Sequence, residues 1–343
     1  SLWRRIYILS GLLLVVGLLF GAKSFRDAYL PVPIPSNPEW EPYLDTLDAQ
    51  HESFFVDSDG VKLEAELFIP NGGQEKKPAV VFAGGSGDWL FQDYAFGMIE
   101  TYILDVFLAR DMAVLLVNKR AMGKSEGDYT RNSIAGRSED IYAAVKHIKA
   151  HSQIDESRIG VVGHSQGGWV VTYVVAEHPD VAFFISLAGP TTTMEENAVD
   201  NDYNYATCQD FNEEEVAAYL EKRKKDRDLS IYIGEITDFG MFGFDARNMR
   251  YDPRAALKKI QNPGLFVYAE YDSLVTPSLN LDRMNEIFEN NVPENFTEIT
   301  IDGATHIFRF VDNVCGSFLN PAEFEQAEEL TEVLDTWLTD RGY

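Results

Sequence analysis

Cysteine is nearly absent from this chain of 343 residues, which carries only Cys208 and Cys315. Two are too few for a disulfide scaffold or a cysteine-built metal site, and they leave open either one bridge or two free thiols. Basic charge is also short: 29 Lys+Arg stand against 55 Asp+Glu, a net charge of -26. Such a balance opposes binding to nucleic acid or to an anionic membrane surface, so partners are expected to be neutral or cationic. Internal repeats and low-complexity tracts are missing, which argues against a solenoid or a disordered chain. What is present in quantity is apolar residues, 45% of the total, ample for a full core in one large domain or two.

The chain divides by composition. Residues 6–22 are 17 positions without a charge, behind Arg4 and Arg5. That length is at the lower limit for a membrane-spanning helix, and it predicts a transmembrane anchor or signal peptide over residues 1–24. Ala22-Lys23-Ser24 is a passable cleavage site, but the run is longer than a usual signal core and favours an uncleaved anchor. Arg4 and Arg5 would hold the N-terminus in the cytoplasm, leaving the rest outside as a membrane-anchored, secreted or periplasmic domain. Residues 25–50 follow as a linker, where Pro31, Pro33, Pro35, Pro38 and Pro42 fit an extended spacer.

From His51 onward strand and helix alternate. A hairpin turning at Asp57-Ser58-Asp59-Gly60 precedes apolar strands at 78–82, 112–117, 158–163, 181–187, 264–269 and 296–301. Helical spacing fills 94–109, 134–150 and 166–178 between them. That order predicts an α/β fold: a mostly parallel sheet with helices on both faces, spanning residues 51–343. One interval is too long to be a connection, the roughly seventy residues between the strands ending near Ala188 and starting near Gly264. It reads as an inserted lid over about 190–256, with a charge-mixed, solvated helix at 212–228 and an apolar, mostly aromatic cluster (Phe239, Met241, Phe242, Phe244) expected to form its core.

The chemistry is concentrated at Gly163-His164-Ser165-Gln166-Gly167-Gly168. A strand ending in Gly-x-Ser-x-Gly and opening into a helix is a nucleophile elbow, in which glycines at both flanks permit a turn too tight for a Cβ. A serine hydroxyl needs an imidazole to take its proton and a carboxylate to orient that imidazole. In proteins with this elbow the order is Ser, acid, His, and His306 is the one histidine beyond His178. For the acid, the strand 265–269 ends in Glu270-Tyr271-Asp272-Ser273. Asp272 is the choice and Glu270 the fallback, at the strand end where open α/β sheets place their sites. An oxyanion hole needs two N–H donors: Gln166, next after the nucleophile, and one from Gly84-Gly85-Ser86-Gly87, with Ser86 first and Gly87 next. Residues 118–125 end in Gly123-Lys124-Ser125 like a phosphate loop, but Asn118 stands where the first glycine is required.

Gly163-His164-Ser165-Gln166-Gly167-Gly168, Asp272, His306 and the segment Arg120-Ala121-Met122-Gly123-Lys124-Ser125 together resemble the α/β-hydrolase superfamily, most closely its serine esterases and its acyl-aminoacyl or dipeptidyl peptidase-like hydrolases. The segment at 120–125 is similar to an Arg-Gly-x-Gly-x-Ser signature with Ala121 in place of the first glycine. The resemblance covers about 51–337. It implies an eight-stranded α/β-hydrolase fold and attack by Ser165 on an ester, thioester or amide, with an acyl-enzyme released by water activated through His306. It implies neither metal nor organic cofactor. The expected activity is a carboxylesterase acting on small-molecule esters; a peptidase or thioesterase of the same fold, and a catalytically idle membrane-tethered binding domain, are the alternatives.

Overall fold

A computed structural model describes residues 39–343 except 73–74 and 320–322. The expected anchor and most of the proline-rich linker lie outside the described residues. Within them, no helix is long and apolar enough to cross a membrane.

Eight strands form one sheet in the order β1-β2-β4-β3-β5-β6-β7-β8. They are β1 (Ala49–Ser58), β2 (Val61–Pro70), β3 (Lys77–Ala83), β4 (Ala113–Val117), β5 (Ile154–His164), β6 (Phe184–Leu187), β7 (Gly264–Ala269) and β8 (Phe296–Ile301). β1 and β2 pair antiparallel around Asp59 and Gly60, both with positive φ, as a two-residue hairpin turn with right-handed strand twist requires. β2 also pairs antiparallel with β4, and from β4 to β8 every pairing is parallel. Alternate residues of the central strands serve opposite faces. Ala79, Val81 and Val161 join one core with α3 (Ile134–Lys149), α4 (Gln166–Glu177) and α9 (Pro277–Ile287). Val80, Phe82 and Val162 join the other, with α1 (Trp40–Leu44), the 98–107 stretch and α10 (Glu328–Thr339). The predicted sheet with helices on both faces is the one observed, an α/β-hydrolase fold.

Three elements differ from expectation. Residues 40–44, expected within the extended spacer, form the short helix α1, with Pro42 in its first turn and Trp40 buried. The helix expected at 94–109 is broken into a 3-10 turn (Phe91–Phe96), a π-helical turn (Ile99–Leu104) and α2 (Asp105–Ala109). Gly97, at φ +92°, takes the left-handed backbone that ends the first piece. The charge-mixed helix runs on to Thr237 as α6 (Glu213–Thr237), nine residues past the end of its charged stretch at Asp228. Asn212 and Glu215 form a reciprocal capping box at its start, and Asp238 ends it in the left-handed region.

The interval between β6 and β7 folds into α5 (Met194–Thr207), α6, α7 (Gly240–Asn248) and α8 (Arg254–Leu257). Gly234 lets α6 and α7 approach closely, since a Cβ there would lie 1.9 Å from the Phe242 carbonyl oxygen. The aromatic cluster is not a core internal to the insert. Phe244 is buried, but against Leu90, Met122 and Tyr129 of the main domain, while Phe239 and Met241 are exposed. Two attachments tie α5 to the loops that follow β7 and β8. Asn204 at its C-terminal turn donates to the Ser273 carbonyl (3.1 Å) and to Thr276 Oγ1 (2.9 Å). Cys208, its C-cap, is disulfide-bonded to Cys315 in the 3-10 turn Val314–Phe318.

Candidate active site

The elbow forms because β5 brings an all-buried apolar run to Gly163-His164, and α4 starts one residue after the serine. Between them Ser165 is held at φ 56°, ψ −124°, a region sparsely populated by residues with a Cβ. Its N–H donates to the Leu187 carbonyl of β6 at 2.9 Å, which anchors the strained residue to the sheet. The flanking glycines leave no room for substitution. A Cβ on Gly163 would sit 2.2 Å from the Gly167 carbonyl oxygen, and one on Gly167 would sit 2.0 Å from that of Ala83. α4 therefore starts directly beneath the serine, with the Gln166 N–H at its positive end and without a hydrogen-bond partner among the described residues.

The residues expected from β7 and β8 come together, and His164 of the elbow reaches them at the His306 carbonyl oxygen, 2.8 Å from its Nε2. His306 Nδ1 lies 2.7 Å from Asp272 Oδ2. Asp272 is 1% exposed, and its other oxygen accepts the N–H groups of Leu274 and Val275, each at 2.8 Å. Three hydrogen bonds fix the carboxylate, so the imidazole it holds is fixed as well. Glu270, the fallback acid, faces away and accepts the Gly303 N–H at 2.7 Å, bracing the start of the His306 loop. Ser165 Oγ makes no hydrogen bond to His306 in this structure.

The loop after β3 supplies the other wall. Gly85 sits against the nucleophile, where a Cβ would lie 3.0 Å from Ser165 Cβ. Its N–H is committed elsewhere, donating to Tyr94 Oη. Ser86 follows, exposed, with an N–H that has no partner among the described residues. Gly87 turns the chain at φ +83°.

Four side chains that sequence reasoning did not single out support these elements. His164 Nε2 lies 2.8 Å from the His306 carbonyl oxygen, so it carries the proton, and its Nδ1 accepts from Tyr94 Oη at 2.8 Å. The phenol thus links the Gly85 amide to the backbone of the His306 loop. Burial, and next the neighbouring His306, lower the His164 pKa to about 3, so the ring is neutral. Arg137 is buried on α3 and donates to the Gln166 side chain and, at 2.7 Å, to the Gly84 carbonyl. It lies on the apolar stripe of α3 with Ile134 and Ile141, and a charge in that position was a readable signal. Lys119, in the loop after β4, donates to the carbonyls of Gly85 (2.9 Å) and Gly87.

The segment at 118–125 is a structural turn. Asn118 bonds Glu64 and the Phe91 N–H, Arg120 pairs with Asp140, and Ala121 occupies the left-handed region at φ 62° that a glycine would hold without strain. Among the described residues no group of three or more His, Cys, Asp or Glu is placed to hold a metal ion.

Residues 100–234 match the profile of Peptidase_S9, the prolyl oligopeptidase family. No curated protein sequence matches the chain. Among solved structures it is similar to ferulic acid-bound Est1E from Butyrivibrio proteoclasticus, at 18% identity and TM-score 0.56 over 84% of this chain and 98% of that one. The esterase Pf2001 from Pyrococcus furiosus is likewise 18% identical, with TM-score 0.56 over 90% of this chain and 96% of the esterase. A 2,6-dihydroxy-pseudo-oxynicotine hydrolase aligns at 20% identity and TM-score 0.57, covering 88% of this chain and 71% of its own. At these identities the likeness establishes the α/β-hydrolase fold.

Proposed function

We propose that this protein is a serine hydrolase that cleaves carboxylic esters through an acyl-enzyme. The observation that carries the reading is an imidazole, fixed by a buried carboxylate at 2.7 Å, on a loop whose His306 carbonyl lies 2.8 Å from His164, the neighbour of a serine held in a strained elbow. In the reaction Ser165 Oγ attacks the ester carbonyl while His306 Nε2 takes its proton, and Asp272 stabilises the resulting imidazolium. The tetrahedral oxyanion sits between the N–H groups of Gln166 and Ser86. His306 then returns the proton to the departing alkoxide, and activates water to release the acid. Oxyanion stabilisation belongs to the transition state, so it raises the rate without requiring tight ground-state binding. Attack needs the Ser165 hydroxyl turned onto His306, a contact that commonly closes only when substrate is bound.

Ester specificity is supported by the esterases among the structural neighbours, which this chain matches over nearly their full length. The match of residues 100–234 to a peptidase family favours a second reading, in which the same machinery cleaves an amide. A panel of p-nitrophenyl esters of increasing acyl length beside aminoacyl-nitroanilides separates the two. Turnover of the esters with negligible anilide cleavage supports the first, and the reverse selects the second. In our reading the helices between β6 and β7 are a lid that sets access for a modest apolar acyl group. The Cys208–Cys315 bridge fits an oxidising compartment and thus export, with residues 1–24 as anchor or signal peptide.

A further inference from the structure

In a trans peptide unit the carbonyl of one residue and the N–H of the next point in opposite directions. Whatever holds a carbonyl therefore aims the following amide. This rule orders the loop after β3. Arg137 Nη2 holds the Gly84 carbonyl, and the Gly85 N–H of the same peptide unit points the opposite way, to Tyr94 Oη. One unit further on, Lys119 Nζ holds the Gly85 carbonyl at 2.9 Å, and grips the Gly87 carbonyl as well. The Ser86 N–H belongs to the same peptide unit as the Gly85 carbonyl that Lys119 holds.

We propose that Lys119 is a positioning residue of the oxyanion hole: its ammonium draws the Gly85 carbonyl away from Ser165 and so aims and polarises the Ser86 N–H toward the reacting carbonyl. A charged donor on the carbonyl side of a peptide withdraws electron density through the amide and makes its N–H a stronger donor. The proposal deepens the hydrolase reading and rests on it. It also gives a use to a half-buried cation that makes no ion pair among the described residues. The Lys119 ammonium lies over the Tyr129 ring, 5.2 Å from its centroid, as the remaining partner of its charge. The charged groups facing it are Arg137 from α3 and Asp88 from the loop after β3, with the Tyr129 phenol beneath. Burial first, and the Arg137 charge second, hold the amine well below the ordinary lysine range, while Asp88 opposes this. Arginine at this position would keep its charge at every working pH.

The test uses the full chain and the best ester of the panel, with Lys119→Met, Lys119→Arg and Ser86→Pro, the last removing the N–H itself. For Lys119→Met we expect kcat to fall about 10- to 100-fold with KM within about threefold, since the interaction acts on the transition state. Binding of an aryl trifluoromethyl ketone, which forms the oxyanion adduct, falls by the same factor. Lys119→Arg restores most of both. In the Ser86→Pro background the methionine substitution costs nothing further, because the amide it acts through is gone. The wild-type kcat declines as pH rises through the ionisation of the amine, and the arginine variant lacks that decline. Overlapping pH profiles, or an additive loss in the double variant, overturn the proposal even if Lys119→Met alone does not fold. Fluorophosphonate labelling of the wild type keeps the two failures apart: an enzyme that labels but shows neither effect retains the hydrolase reading without this role for Lys119, and a wild type that does not label loses both.

Discussion

Breaking the Cys208–Cys315 bridge is expected to destabilise the domain and to loosen the candidate base. The bridge closes a loop with a sequence separation of 107. In the chain-entropy account a loop of that size removes about 16 cal/mol/K from the unfolded ensemble, or about 4.8 kcal/mol at 25 °C. That is a ceiling, because measured losses run about 2–5 kcal/mol and unfolded chains retain structure. The effect is not uniform over the fold. Cys315 lies nine positions beyond His306, and Cys208 caps the helix whose Asn204 grips Ser273 and Thr276 beside Asp272. The bridge thus closes a ring through α5 and the loops that carry Asp272 and His306. Urea unfolding of wild type with and without a phosphine reductant, beside Cys208→Ser/Cys315→Ser, reads the change. We expect a loss of about 2–4 kcal/mol and a Tm lower by roughly 4–15 °C. Ester turnover should fall through kcat, as the His306 loop samples more conformations. Coincident unfolding curves, or two thiols alkylated without reduction, would refute the reasoning.

Asp272→Asn keeps an oxygen for the Leu274 and Val275 amides but turns an NH2 toward His306 Nδ1. The imidazole is then driven to the tautomer that carries its proton on Nε2 and cannot accept from serine, so kcat should fall about 10³- to 10⁴-fold with near-native stability; a loss under tenfold would remove Asp272 from the mechanism. His164 has a folded pKa of about 3 against an ordinary value of 6.5. In that interval the unfolded chain binds the extra proton, so stability is complete above 6.5 and falls as pH drops below it, with a ceiling of about 5 kcal/mol (3.5 × 1.36). Urea midpoints from pH 7 to 4 should show this fall, and His164→Gln should flatten it. Gly167→Ala would put a Cβ 2.0 Å from the Ala83 carbonyl oxygen, and a cost of about 3 kcal/mol or more should appear as insoluble or early-melting protein.

The sheet was legible because its parallel strands are buried on both faces and read as continuous apolar runs, as in Val80-Val81-Phe82 and Leu265-Phe266-Val267. The elbow was legible because its glycines are demanded by contact distances, and His306 because topology fixes the order of the site along the chain. Lys119 and Tyr94 were not, since each acts through a backbone group whose direction appears only once the loop after β3 is folded, whereas Arg137 stands out as a charge on the apolar stripe of α3. The length of α6 was missed for a related reason. Its last two turns are held by close backbone approach at Gly234, while Tyr232 and Ile236 stay exposed, so neither charge pattern nor burial stripe marks the continuation. Within Phe239, Phe242 and Phe244, only folding decides which ring finds the main domain.

The central claim is that Ser165 is a nucleophile activated by His306 and stabilised by Asp272. Labelling of the folded protein with a fluorophosphonate, followed by peptide mass analysis, tests it most directly. The account predicts one adduct on Ser165, absent in Ser165→Ala and slowed at least about 10³-fold in His306→Ala. An adduct on another residue, or a folded wild type that stays unlabelled while binding small esters unchanged, would contradict it and leave a binding domain on a hydrolase fold.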